Sequence, residues 1–320
     1  MRAACLLLAS ASCLLGAVDG IVTNATTGQP QPSVIVSLLQ PGAGGMQTLA
    51  SVKAGADGKF KIDKDIPPGP ALVQALYKGA TYNVVLTPGS PTTGVQVTVN
   101  DATNKAGIAK IEQHILVIEP SDSAIKVTET LIVKNDTKVT FLDSAKGSVR
   151  FYVPESASEG VQISIDAPGG MPIRRPAEKT TEAGVYKESY PIKPGETRFD
   201  VAYSLPAAAT FSGKNLEPEQ PARLATPSTV TLSGDGVESM GQEPTTKAHI
   251  YSVAAPTYEV KIEGTGSLRA TQDKSADDDS GQPKIEEVPA RVYDRLYWVL
   301  GLALAILFLG GALLYRRGAA

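Results

Sequence analysis

Ala56-Asp57-Gly58-Lys59-Phe60-Lys61-Ile62 sets a turn, Asp57-Gly58, directly before a short run in which apolar residues alternate with lysine. Alternation is the signature of a strand with one buried and one wet face, and glycine after aspartate supplies the positive φ that a tight reversal needs. Outward from this stretch the same grammar repeats. Gly20-Ile21-Val22, Val34-Ile35-Val36-Ser37-Leu38, Ala71-Leu72-Val73-Gln74-Ala75, Tyr82-Asn83-Val84-Val85-Leu86 and Val95-Gln96-Val97-Thr98-Val99 are short apolar runs. Between them, Thr27-Gly28-Gln29-Pro30 and Pro67-Pro68-Gly69 place glycine and proline where the chain must turn. Residues 18–100 therefore read as a small β-sandwich.

Strand signals continue through residues 107–263. They lie at His114 to Ile118, Ile125 to Val133, Val149 to Val153, Val161 to Ile165, Phe199 to Tyr203 and Tyr258 to Ile262. Several alternate clearly, which predicts a second β-sandwich with one face of each strand buried. Tyr190-Pro191-Ile192-Lys193-Pro194-Gly195-Glu196 reads as a strand, a proline-fixed turn and the start of the next strand. Composition agrees with an all-β chain. Thirty glycines and 23 prolines, against six phenylalanines and one tryptophan, describe many short elements joined by turns, and 42% hydrophobic content in 320 residues is enough for packed cores. A net charge of −3 without an internal basic block argues against nucleic acid as a partner.

The motifs of residues 18–100 resemble the carboxypeptidase regulatory-like domain, a transthyretin-like sandwich grouped with starch-binding-like folds. Gly20-Ile21-Val22 is similar to its opening strand, Thr27-Gly28-Gln29-Pro30 to the turn after it, and Pro32-Ser33-Val34-Ile35-Val36 to the second strand. Ala56-Asp57-Gly58-Lys59-Phe60 is similar to its hallmark turn, Ile66-Pro67-Pro68-Gly69 to the later one and Tyr77-Lys78-Gly79-Ala80 to the closing turn. Pro32-Ser33 departs from the small Gly-Ala pair more usual there. The resemblance implies a fold and says little about activity, because in metallocarboxypeptidases a separate catalytic domain supplies the zinc. Residues 107–263 bear a looser likeness to extracytoplasmic regions that follow such modules in bacterial membrane proteins.

Both ends of the sequence are apolar. Met1-Arg2, the apolar Ala3 to Leu15 and the small pair Gly16-Ala17 follow the three-part secretory pattern, so residues 1–17 are expected to be a cleaved signal peptide. Ala11-Ser12-Cys13 resembles the end of a bacterial lipobox, but Ser10 stands where an aliphatic residue is usual and Leu14-Leu15 prolong the apolar run. Cleavage near Ala17 removes Cys5 and Cys13 and leaves no thiol chemistry. Residues 296–315 are uncharged and long enough, at about 1.5 Å per residue, to cross roughly 30 Å of hydrocarbon as a transmembrane helix. Trp298 and Tyr315 suit its interfaces, and Arg316-Arg317 open a short cytoplasmic tail, residues 316–320, which orients the N-terminus outside. Gly301, Ala305 and Gly310-Gly311 offer a small-residue face on that helix. Residues 264–290, with Asp277-Asp278-Asp279, read as a flexible acidic stalk rather than a calcium loop. The ectodomain is thus expected in the periplasm or outside the cell.

No catalytic, cofactor or metal constellation stands out. His114 and His249 lie outside any His-x-x-Glu or His-Glu-x-x-His spacing and read as strand-end residues. Ser123-Ala124-Ile125-Lys126 matches a Ser-x-x-Lys string, but in a strand residues three apart face opposite ways. Gly170-Met171-Pro172-Ile173-Arg174-Arg175-Pro176 reads as a loop whose Met171, Arg174 and Arg175 form a possible contact surface for an anionic or protein partner. Asn24-Ala25-Thr26 and Asn135-Asp136-Thr137 match the N-glycosylation pattern, which matters in a eukaryotic secretory pathway. The expected function is a non-enzymatic, membrane-anchored extracytoplasmic module presenting β-sandwich loops or edges to a protein, envelope polymer or glycan, with no cofactor. The alternative is an accessory subunit of a membrane-associated hydrolase. With Trp298 in the membrane segment, any sugar stacking would fall to tyrosines.

Overall fold

The strand Val18–Asn24 organises the first sheet. It pairs antiparallel with Lys59–Ile62 and Gln29–Pro30, and parallel with Val95–Val99. Gly20 in its middle permits that parallel approach, since a Cβ there would lie 1.9 Å from the Val95 carbonyl oxygen. At Gly58 φ is +75°, and the Asp57 side chain accepts the Lys59 amide, so the Asp-Gly reversal forms as its residues dictate. The computed structural model describes residues 18–268 apart from 43–44, 67, 158–159 and 218–219. The expected signal peptide, the stalk beyond residue 268, the transmembrane helix and Trp298, Tyr315, Arg316 and Arg317 lie outside the described residues. No helix long and apolar enough to cross a membrane occurs among the described ones.

A second sheet, in the order Gly45–Lys53, Ile35–Gly42, Ala71–Tyr77, Ala80–Leu86, packs on the first. Val22, Val36, Leu38, Phe60, Ile62, Val73, Ala75 and Val97 meet between the sheets in one apolar cluster. Each large aliphatic or aromatic side chain so buried contributes roughly 1.5–3 kcal/mol. This core contains no buried charged side chain.

Beyond residue 109 an eight-stranded sheet forms the floor of a second core. Its order is Ile173–Pro176, Gln162–Asp166, Gly195–Pro206, Ala124–Asn135, Lys110–Pro120, Ala222–Thr226, His249–Val253, Val237–Gln242. Two three-stranded sheets cover its inner face, one around Val185–Glu188 and one around Thr257–Glu263. Ile118, Ile125, Phe151, Ile163, Phe199, Phe211, Leu224 and Val260 fill the space between, and Phe151 stacks on Tyr186 at 5.9 Å.

Residues 100–107 do not form a free linker. Ala102–Thr103 pairs in parallel with Thr140–Phe141, and the Asp101 carboxylate gathers Asn24 Nδ2 at 3.0 Å, the Tyr77 hydroxyl at 2.8 Å and Lys78 Nζ at 3.0 Å. These donors, Asn24 first and then Lys78, hold the Asp101 carboxyl below the usual range. Tyr82 bonds Thr140 Oγ1 at 2.8 Å, and Lys193 Nζ lies 5.1 Å from the Tyr82 ring. All described residues accordingly belong to one compact unit. Both sequon asparagines are buried in this region. Asn24 Nδ2 donates to Gln31 and Asp101, and Asn135 Nδ2 donates to the Val139 and Ile192 carbonyls, so a glycan on either would break these bonds.

Candidate functional site

Two polar features stand apart from ordinary surface. The first is a groove of about 490 Å³ on the open face of the eight-stranded sheet. Glu119, Lys126, Thr128, Gln162, Arg174 and Ala202 line it, Glu119 directly across the ladder from Lys126. Alternation explains the set. Along Ala124–Asn135, Ile125, Val127 and Leu131 enter the core, which turns Lys126 and Thr128 outward. Register aligns Thr128, Ala202 and Gln162 in one cross-strand row, so the small Ala202 side chain leaves a shallow floor between a hydroxyl and an amide.

Charge in the groove is unevenly matched. Glu119 Oε1 accepts bonds from Ser267 Oγ at 2.6 Å and the Leu268 amide at 2.8 Å, and Gly266 N donates to the Pro120 carbonyl. The start of the segment read as a flexible stalk is thus tied to the sheet. Nearby Asp200 accepts from Thr130 Oγ1 at 2.6 Å and is bridged by Arg198 at 2.8 Å. Lys126 and Arg174 have no ion-pair or hydrogen-bond partner among the described residues. A second hollow, of about 690 Å³ around Pro154 and Ala183, differs in this respect: its Lys179 lies 5.8 Å from the Tyr186 ring and its Glu182 pairs with Arg150.

The segment expected as a contact loop is divided. Ile173–Pro176 is an edge strand, paired to Gln162–Asp166, because the alternating register of its neighbour extends to it. Arg174 therefore faces the groove, whereas Arg175, opposite the inward-facing Ile163, turns to Glu188 and binds both its carboxylate oxygens. Met171 precedes the strand and is 51% exposed.

The second feature was not foreseen. His114 sits inside Lys110–Pro120, not at its end, and its Nε2 lies 2.7 Å from Glu129 Oε1, both side chains buried. Glu129 Oε2 and the Tyr203 hydroxyl, also buried, have no hydrogen-bond partner among the described residues. Burial first, and then the Glu129 charge, push the Tyr203 and Tyr258 hydroxyls well up. A sequence signal for this cluster exists: Glu129 falls in phase with Ile125, Val127, Leu131 and Val133, and His114 with Leu116 and Ile118. The adjoining cavity among the described residues is about 10 Å³, the size of about one water. Among the described residues no three metal-binding side chains converge. His249 begins its strand as expected, its Nδ1 3.0 Å from the Val230 carbonyl oxygen and its Nε2 2.7 Å from Gln242. Ser123 lies just before the strand that carries Lys126. The acidic run Asp277 to Asp279 lies outside the described residues.

No family model matches the chain, and no curated protein matches it. Among solved structures the chain is similar to the M1 zinc metallopeptidase from Deinococcus radiodurans. A mutant of that enzyme bound to a Tyr-Ser-Ala substrate matches with a TM-score of 0.26 and 13% identity, over 48% of this chain and 43% of the other. The M1 zinc metallopeptidase itself matches with a TM-score of 0.24 and 12% identity, over 48% and 42%. The chain spans less than half the length of these peptidases, and at such scores the likeness carries no inference about activity.

Proposed function

We propose that the chain is a non-enzymatic, membrane-anchored extracytoplasmic binding module that uses the groove on the open face of the eight-stranded sheet to hold a partner. The observation that carries this reading is the pair Lys126 and Arg174, which have no ion-pair or hydrogen-bond partner among the described residues at a groove of about 490 Å³, while nearby Asp200 is held by Thr130 and Arg198. Unpaired cations lining a groove suit recognition of an anionic partner. The buried His114–Glu129 pair, an acid–base arrangement that could suggest catalysis, adjoins a cavity of only about 10 Å³ among the described residues, which leaves little room for a substrate. In this reading residues 18–100 are a carboxypeptidase regulatory-like, transthyretin-like sandwich, supported by the close approach at Gly20 and the Asp57-Gly58 turn. The apolar segments at residues 1–17 and 296–315 supply export and anchoring. Membrane fractionation with protease digestion of intact cells tests the placement. A full chain that sediments with membranes and loses its β-region to external protease agrees with the reading, and a full chain in the soluble cytoplasmic fraction contradicts it.

A further inference from the structure

We infer that the groove takes a linear acidic polysaccharide, an inference that rests on the binding-module reading. The spacing of the two free cations sets the ligand's length. Lys126 is opposite Ser204, while Arg174 is opposite Ser164 and through it Asp200. Their Cα atoms are therefore three strand spacings of about 4.8 Å and four residues of about 3.3 Å apart, or about 19 Å in all. A single phosphate or small carboxylic acid meets one of the two. A ligand that meets both is extended and carries its anions at intervals.

Between the cations the surface sets its chemistry. The row of Thr128, Ala202 and Gln162 offers a hydroxyl and an amide around a small floor, which matches a hydroxyl-rich chain. The Tyr203 ring is buried on the other face of its strand, so stacking plays no part and specificity comes from charge and hydrogen bonds. The planar fork of Arg174 suits a carboxylate approached edge-on, whereas Lys126 acts as a point charge. Arg198 offsets the Asp200 charge, whereas Glu119, the cross-strand neighbour of Lys126, accepts only neutral donors and keeps its charge, so it repels an anion at the Lys126 end and leaves Arg174 the stronger contact.

The test measures binding of the full chain to fluorescent oligogalacturonate, with dextran sulfate, polyphosphate and neutral dextran as separate arms. Oligogalacturonate is expected to bind, weakening with salt, and neutral dextran is not. Arg174→Gln should lower the affinity about tenfold, the loss of one charge-assisted contact, and Lys126→Gln somewhat less. Lys53→Gln, a change at an exposed lysine of the first sandwich, should leave it unchanged. Oligogalacturonate binding indifferent to both groove variants overturns the proposal. Binding of polyphosphate or dextran sulfate alone overturns the carboxylate class and leaves the binding module standing. If none of these polymers binds while capture from membranes still returns a partner that needs Lys126 and Arg174, only the polysaccharide is wrong. If capture also returns nothing, both readings fail.

Discussion

The core under residues 18–99 is apolar apart from the Tyr82 hydroxyl, which bonds out to Asn100 and Thr140 at its edge, whereas the core beyond residue 109 closes over a histidine, a glutamate and the hydroxyls of Tyr203 and Tyr258. Buried polar groups of the first region, Asn24 and Asn100, lie where it meets the second, as do Thr140 and Lys193 from the other side; the His114–Glu129 pair stands mid-sheet. The difference is one of kind. In an apolar core, damage scales with the volume removed, and the surroundings relax into part of the gap. Around an inward-facing carboxylate, damage depends on whether the charge keeps its partner.

The largest expected effect tests the second kind. His114→Leu strands the Glu129 carboxylate and should cost about 3–5 kcal/mol in denaturant unfolding, while the double change His114→Leu with Glu129→Leu should restore most of that loss. A neutral single variant would erase the contrast between the cores. Leu38→Ala, in the apolar core, should cost about 2–5 kcal/mol, and no second change at a contacting position should rescue it by removing charge.

The junction should respond more gently and with pH. Asp101→Asn removes the Lys78 ion pair from a partly solvated site, for an expected loss of about 1 kcal/mol. The Asp101 carboxyl titrates below its ordinary 3.8 in the folded chain, so the stability it provides is complete above that value and fades as pH falls through the lowered one. Thermal unfolding of the wild type and Asp101→Asn should therefore converge at low pH. The smallest effects belong to the groove: Lys126→Gln and Arg174→Gln are exposed changes that should alter stability by less than about 0.5 kcal/mol. Calorimetry that finds a larger loss assigns these side chains a structural role instead.

How far the fold could be read from sequence follows from the range of the interactions. Val95–Val99 and Thr257–Glu263 alternate cleanly, and the structure buries every second residue of each. The Asp57-Gly58 turn is likewise local, fixed by one backbone angle and one side-chain bond. Gly45–Lys53 gave no such signal, because as an edge strand it is mostly exposed and needs no apolar face. The parallel pairing of Val18–Asn24 with Val95–Val99 joins segments more than seventy residues apart, which no local pattern encodes. At the candidate site the sequence offers Arg174 only together with Met171 and Arg175 in a contact loop, and its separation from Arg175 depends on the register with Gln162–Asp166. Lys126 was considered only through a chance Ser-x-x-Lys string. Glu129 and His114 carried a readable mark, a charged or polar residue in an apolar phase, but their pairing spans two strands.

The most direct measurement is capture from solubilised membranes with the full chain, run beside the Lys126→Gln, Arg174→Gln double variant and accompanied by peptidase and glycosidase assays. The account predicts a bound partner held by the wild type and released by the double variant, with no turnover of any substrate. Turnover that disappears in a folded Glu129→Gln variant, with capture unchanged by the groove substitutions, would contradict it.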